Sequence, residues 1–336
     1  MEFRRNGQSF HQVNKYSGGF VRPARRLLCG YYARTPHFPL LLAITALLAA
    51  GPDHAQTPER PFTVSVDVDL VVFNATVLDS KGRMVKGLLA KSFHLFEDGK
   101  EQEIKFVQQE DVPATVGLVI DNSGSMKPKL SEVVKAALEF AGSSNPQDEL
   151  FVVNFNERVF MGLPNSVPFT NSIDQLRSVL LAIQANGKTA LYDAVAMALK
   201  HLDLGSHQKK ALVVLSDGGD NASAIGLKDV LQLAQQSNAT IYTIGIFDPD
   251  DADKNPKVLQ QLATLSGGQS FLPKTLEELP NIWLKIAGGI RDQYTIGYFS
   301  TNLKHDGAFR NVRIVATDPN GKSLRVRARR GYAAPR

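Results

Sequence analysis

The chain has 336 residues, with 38 Lys and Arg against 33 Asp and Glu, a formal charge of +5. All of that excess sits in residues 1–55, and the remainder carries 31 side chains of each sign. A neutral body excludes the whole-protein electrostatic case for nucleic-acid binding. Cys29 is the only cysteine, so neither an intramolecular disulfide nor a thiolate metal site can form. A hydrophobic fraction of 43% fits a globular chain rather than a disordered one. The length suggests two domains at about 150 residues each.

Residues 1–55 read as an export segment. A basic leader precedes the apolar run Phe38 to Ala50, the pattern of a secretory signal. The run is short for a spanning helix, which needs about 20 residues. An uncleaved membrane anchor through 38–50 is the alternative. Either reading places the protein outside the cytoplasm, as a periplasmic, cell-envelope or secreted chain, free or anchored at the inner membrane.

Residues 56–113 read as an N-terminal β module. Val64, Val66, Val68, Leu70 and Val72 alternate with mostly polar neighbours, as in a half-buried antiparallel strand. Asp79 to Arg83 is a turn. Phe93 to Ile104 is a hairpin about Asp98-Gly99.

Residues 114–289 alternate strands and helices. The spacing predicts strands at Val116–Ile120, Leu150–Phe155, Ala211–Leu215 and Thr240–Phe247, and a short one near Phe271. Arg158–Leu163 is expected as an edge strand. Helices are expected at Leu130–Ala141, Ser172–Ile183, Leu191–Leu202, Leu227–Gln236, Pro256–Ser266 and Leu276–Ala287. The pattern implies an α/β fold: a doubly wound, mostly parallel sheet with one antiparallel edge strand, covered on both faces.

Residues 290–336 return to strands at Tyr294–Phe299, Phe309–Ala316 and Ser323–Ala328. Asp318 to Gly321 forms a turn. Neither terminal strand set is large, so the two are expected to pair into one small β-sandwich, with the α/β domain inserted between them. Arg325, Arg327 and Arg329 alternate with apolar residues and are expected on a solvated cationic face.

The chemistry concentrates after the strand Val116–Ile120. Asp121-Asn122-Ser123-Gly124-Ser125 sets a carboxylate and two hydroxyls on one turn, where open α/β sheets place their ligands. Thr189 follows Gly187-Lys188 just before a helix. Asp217 ends the apolar run Leu212 to Leu215-Ser216. These hard oxygen donors suit Mg²⁺, Mn²⁺ or Ca²⁺ rather than zinc or copper.

Competing motifs are poorly supported. Gly187-Lys188-Thr189 lacks the phosphate loop's leading glycine, since Ala182 stands there. No G-x-G-x-x-G follows the first α/β strand. The acidic run 248–253 lacks the glycine and terminal Glu of an EF-hand. Neither the histidines nor Cys29 compose a catalytic arrangement.

Asp121, Ser123, Ser125, Thr189 and Asp217 together resemble the metal-ion-dependent adhesion site of von Willebrand factor type A domains. The whole pattern, with the Phe93–Ile104 hairpin and the ending Arg329-Arg330-Gly331-Tyr332, is similar to bacterial exported VWFA-related domain proteins. The resemblance implies that Ser123 and Ser125 bind Mg²⁺ or Mn²⁺ directly. It implies that Thr189, Asp121 and Asp217 bind directly or through water. One position then remains for the Asp or Glu of a protein ligand, which makes the chain a binding module, not an enzyme. The alternative is an assembly or chaperone factor partnering an ATPase, against which the export segment argues. Neither a nucleic-acid partner nor an oligomeric state is implied.

Overall fold

A computed structural model describes residues 69–247 and 254–336. Residues 1–68, which take in the expected export segment and the start of the expected N-terminal β module, and the acidic run 248–253 lie outside the described residues. Four strands come first: β1 (Leu70–Leu78), β2 (Phe93–Glu97), β3 (Lys100–Gln102) and β4 (Ile104–Gln108). The α/β domain opens with β5 (Ala114–Asp121), α1 (Leu130–Ser143), β6 (Glu149–Phe155), β7 (Val159–Met161), α2 (Ile173–Leu181) and α3 (Leu191–Leu202). It continues with β8 (Lys209–Ser216), α4 (Leu227–Gln236), β9 (Thr240–Gly245), α5 (Pro256–Leu265), β10 (Ser270–Phe271) and α6 (Leu279–Arg291). Four strands end the chain: β11 (Tyr294–Phe299), β12 (Phe309–Thr317), β13 (Ser323–Ala328) and β14 (Gly331–Ala333).

The α/β domain holds a six-stranded sheet in the order β10-β9-β8-β5-β6-β7. Every pairing is parallel except that of β7, an antiparallel edge. β5 is buried along its whole length because it lies between β8 and β6 and is covered on both faces. Val116, Leu118 and Ile120 pack toward α1, α2 and α6; Val119 packs toward α3, α4 and α5. Gly117 is required here, since a Cβ would stand 2.4 Å from the Phe151 ring.

The last helix differs from expectation at both ends. Leu276–Glu278 forms a separate 3-10 turn, and the α-helix starts at Leu279 with Pro280 in its first turn. Proline suits that position because its missing N–H has no intrahelical partner there. At the other end α6 runs through Gly288-Gly289 to Arg291. Gly289 lets the helix approach Tyr242, whose hydroxyl would stand 2.9 Å from a Cβ.

The N- and C-terminal strands pair with one another. β1 lies between β11 and β13, antiparallel to both. Their hydrogen bonds follow one path, β3-β2-β12-β13-β1-β11-β4, with β14 beside β12. β3 and β4 stand at opposite ends of this path, yet only Glu103 separates them in the chain. Seven flat strands would part those ends by about 29 Å, so the path must curl back on itself. Phe93 of β2 and Tyr294 of β11 make the same point, with ring centroids 5.1 Å apart across the core. The result is a two-layered antiparallel module whose corner strand, β13, pairs with both β1 and β12.

The parity of β1 is a correction. Val71, Phe73, Ala75 and Val77 face the core, whereas Leu70 is 47% exposed and Val72 half-buried. Leu70 to Phe73 is continuously apolar, so alternation there does not define a face; the large Phe73 ring, packed on Tyr298 and Tyr332, does. The arginine face is a second correction. Arg325 is exposed, but Arg327 turns to Gln269 and Arg329 to the Val72 carbonyl. Both are partly buried where β13 packs against Gly267.

Candidate metal centre

β5 and β8 are adjacent and in register, with Ile120 opposite Leu215. The loops that follow therefore emerge side by side at the carboxyl edge of the sheet, where the strand order reverses. Ser123 sits in extended backbone and begins a 3-10 turn over Gly124–Met126. A third loop is tied to the first by two backbone bonds, from Gly124 N–H to the Gly187 carbonyl (3.1 Å) and from Asn186 N–H to the Asn122 carbonyl (2.9 Å). Gly187 takes a left-handed φ of 78° and lies under the Glu157 carboxylate, which leaves no room for a Cβ. That turn delivers Thr189 to the site.

The structure brings Ser123, Ser125, Thr189 and Asp217 onto one cavity of about 210 Å³. Ser125 Oγ donates to Asp217 Oδ2 at 2.7 Å and lies 3.1 Å from Ser123 Oγ. Asp217 Oδ1 accepts the Gly219 N–H. Asp121 stands behind this edge, fully buried. Its Oδ1 accepts the Ser123 N–H at 2.9 Å and its Oδ2 the Ser216 hydroxyl at 2.6 Å.

Two buried carboxylates share this corner. Among the described residues, neither has a Lys, Arg or His within ion-pair distance. Burial pushes the Asp121 pKa up to about 6; hydrogen bonds from Ser123 and Ser216 pull it back, and the charge of Asp217 adds to the rise. A buried carboxylate without a cation is costly. A divalent ion would supply the missing positive charge, and the donor set fits one. It consists of two carboxylates with three hydroxyls, the hard oxygen chemistry that Mg²⁺ and Mn²⁺ take. Among the described residues no group of three or more His, Cys, Asp or Glu forms a metal cluster, so hydroxyls must complete any shell here.

Several contributors were missed as site residues. Ser216 closes Asp121 from behind; its place beside Asp217 at a strand end was the available signal. Asn221 Oδ1 accepts the Thr189 N–H at 2.9 Å, and Asn221 N–H donates to the Thr189 carbonyl. Asp220, adjacent to the site in sequence, serves α3 instead: it accepts the Tyr192 N–H and the Ser223 hydroxyl.

The von Willebrand factor type A domain family matches residues 116–283, half of the chain, and the chain belongs to this family. Over 170 residues it is 29% identical to inter-alpha-trypsin inhibitor heavy chain H4 of Homo sapiens, a match taking 47% of this chain and 18% of that protein. The chain thus spans under a fifth of that relative. Its fold is similar to a von Willebrand factor type A structure from Catenulispora acidiphila, at 15% identity and a TM-score of 0.49, covering 80% of this chain and 74% of that one. It is also similar to the vWF domain of the type V pili tip protein Mfa5 from Porphyromonas gingivalis. That match has 16% identity and a TM-score of 0.46, covering 54% of this chain and 95% of that one.

Proposed function

We propose that the protein is an exported, metal-dependent binding module that docks an Asp or Glu of a partner protein. The observation that carries this reading is the pair of buried carboxylates, Asp121 and Asp217, which have no Lys, Arg or His within ion-pair distance among the described residues and back a hydroxyl-lined cavity open to the surface. Asp121, Ser123, Ser125, Thr189 and Asp217 would hold Mg²⁺ or Mn²⁺. When bound, the ion supplies an electrophilic face for an outside carboxylate oxygen. Membership of a family that is typically a non-catalytic binding module supports a docking role. The chain's own residues do the rest. Ser216 and the Ser123 N–H orient Asp121, the Gly187 turn positions Thr189, and Lys188 on the cavity rim favours an acidic arrival.

Calorimetry with Mg²⁺ or Mn²⁺ tests the reading. Outer-shell changes cost about 10–100-fold in metal affinity, so Asp121→Ala is expected to cost at least about 100-fold. Unchanged affinity rejects the assignment. A pull-down from the cell envelope, run with Mg²⁺ and with EDTA, should recover a partner only with the metal. Export is part of the proposal, and a cytoplasmic, unprocessed protein on fractionation would overturn it.

A further inference from the structure

The α/β sheet has a second polar recess at its opposite edge. There, before β8 and β9, the domain meets the antiparallel module and leaves a cavity of about 460 Å³. That volume lies in the range of small-ligand sites, about 300–1,000 Å³, and domain junctions are where such sites occur. One wall holds Gln208, Gln236 and Asn238 of the α/β domain; the other holds Val72, Arg329 and Tyr332 of the antiparallel module.

Arg329 is the unusual member. One guanidinium nitrogen donates to the Val72 carbonyl at 2.9 Å, and its carbon stands 4.3 Å from the centroid of the Phe73 ring. The group is thus held in place, yet among the described residues no carboxylate lies within ion-pair distance of it. Burial brings its pKa down to about 10, which tyrosines nearby only partly offset. The acid on the lining, Asp69, faces His305 at 3.3 Å. The Tyr332 hydroxyl is committed to Glu97. What remains is a fixed planar fork with donors to spare, opposite carboxamides that can both donate and accept.

We propose that this cavity binds a small carboxylate, its anionic end on the Arg329 guanidinium and its body against the carboxamides of Gln208, Gln236 and Asn238. A guanidinium pairs with a carboxylate through two parallel N–H···O bonds, which an ammonium cannot reproduce. A free organic acid and the C-terminus of a peptide share this chemistry.

The full chain is titrated by calorimetry with succinate, with triglycine, with triglycine amide, and with chloride at matched ionic strength. Saturable binding of succinate or triglycine, and none of the amide or chloride, is expected. Succinate alone points to free acids and triglycine to peptide termini. Arg329→Lys should weaken binding at least about tenfold, the loss of roughly one charge-assisted hydrogen bond. Asn238→Leu, on the facing wall, should weaken it with Arg329 intact and serves if the Arg329 variant does not fold. Asp121→Ala and EDTA should leave it unchanged, which separates this site from the metal centre. Equal, unsaturating responses to succinate and chloride, or wild-type binding by folded Arg329→Lys or Asn238→Leu, would overturn the proposal.

Discussion

Both halves of the molecule bury carboxylates among hydroxyls, to different ends. In the antiparallel module Glu97 accepts from the hydroxyls of Tyr298 (2.7 Å), Tyr332 (3.0 Å) and Ser300 (2.7 Å). These donors come from β11, β14 and the loop after β11, and they close around it. In the α/β domain Asp121 and Asp217 also accept from serines, but Ser123, Ser125 and Thr189 line a cavity. The residue chemistry is nearly the same. What separates the two settings is whether the hydroxyl neighbours of the carboxylate have a free side. Glu97 joins distant strands, whereas Asp121 and Asp217 wait at a sheet edge where loops diverge.

The enclosed carboxylate should carry the largest effect. Glu97→Ala removes three charge-assisted bonds and leaves the hydroxyls of Tyr298, Tyr332 and Ser300 without their acceptor. It should cost about 3–5 kcal/mol in urea unfolding, by analogy with breaking a buried charged network. Metal affinity, read by calorimetry, should not change. A stability loss under 1 kcal/mol would mean Glu97 is no anchor.

Acid should act on the other carboxylate. The folded Asp121 pKa of about 6 lies above its ordinary 3.8, so the native state holds this proton more tightly than the unfolded chain. The stability it contributes is fully present below pH 3.8 and is lost as pH rises through about 6. Over that window the metal-free protein should lose about 3 kcal/mol from this group. Urea titrations in EDTA between pH 4 and 7 would show it as a difference between wild type and Asp121→Asn, which lacks the titrating proton. Mg²⁺ affinity should fall below about pH 6 in the wild type, because proton and metal compete for Asp121.

The smallest effect belongs to the neutral donors. A neutral hydrogen-bonding group contributes roughly 0.5–1.5 kcal/mol net. Thr189→Ala should therefore weaken metal binding by about tenfold at most, and Thr189→Ser should restore it. A hundredfold loss would show that Thr189 matters as much as a carboxylate.

Much of the α/β domain was legible in the sequence because its signals are local. Val116 to Ile120 and Leu212 to Leu215 are unbroken apolar runs, the mark of strands buried on both faces. The helices carry one apolar face each. The hairpin at Asp98-Gly99 was readable from its turn residues, and both take positive φ, 47° and 85°. The candidate ligands were legible because each ends a strand or opens a helix. Less legible was Ser216, whose role depends on β5 lying beside β8. Asn221 shows the same limit, since nothing near it in sequence indicates that it holds the Thr189 backbone.

Hydrophobic period, turn chemistry and strand ends are properties of neighbouring residues, so the amino-acid order by itself carried most of the elements, their sequence along the chain and the five candidate oxygen-bearing positions, but not β14 or the ends of α6. Only the tertiary structure decided which parity of β1 faces inward, that Arg327 and Arg329 are partly buried, and that Glu97 is enclosed while Asp121 and Asp217 back an open cavity. Each of those outcomes depends on which surfaces meet between segments far apart in the chain, as when Glu97 meets Tyr298, and no local pattern carries that information.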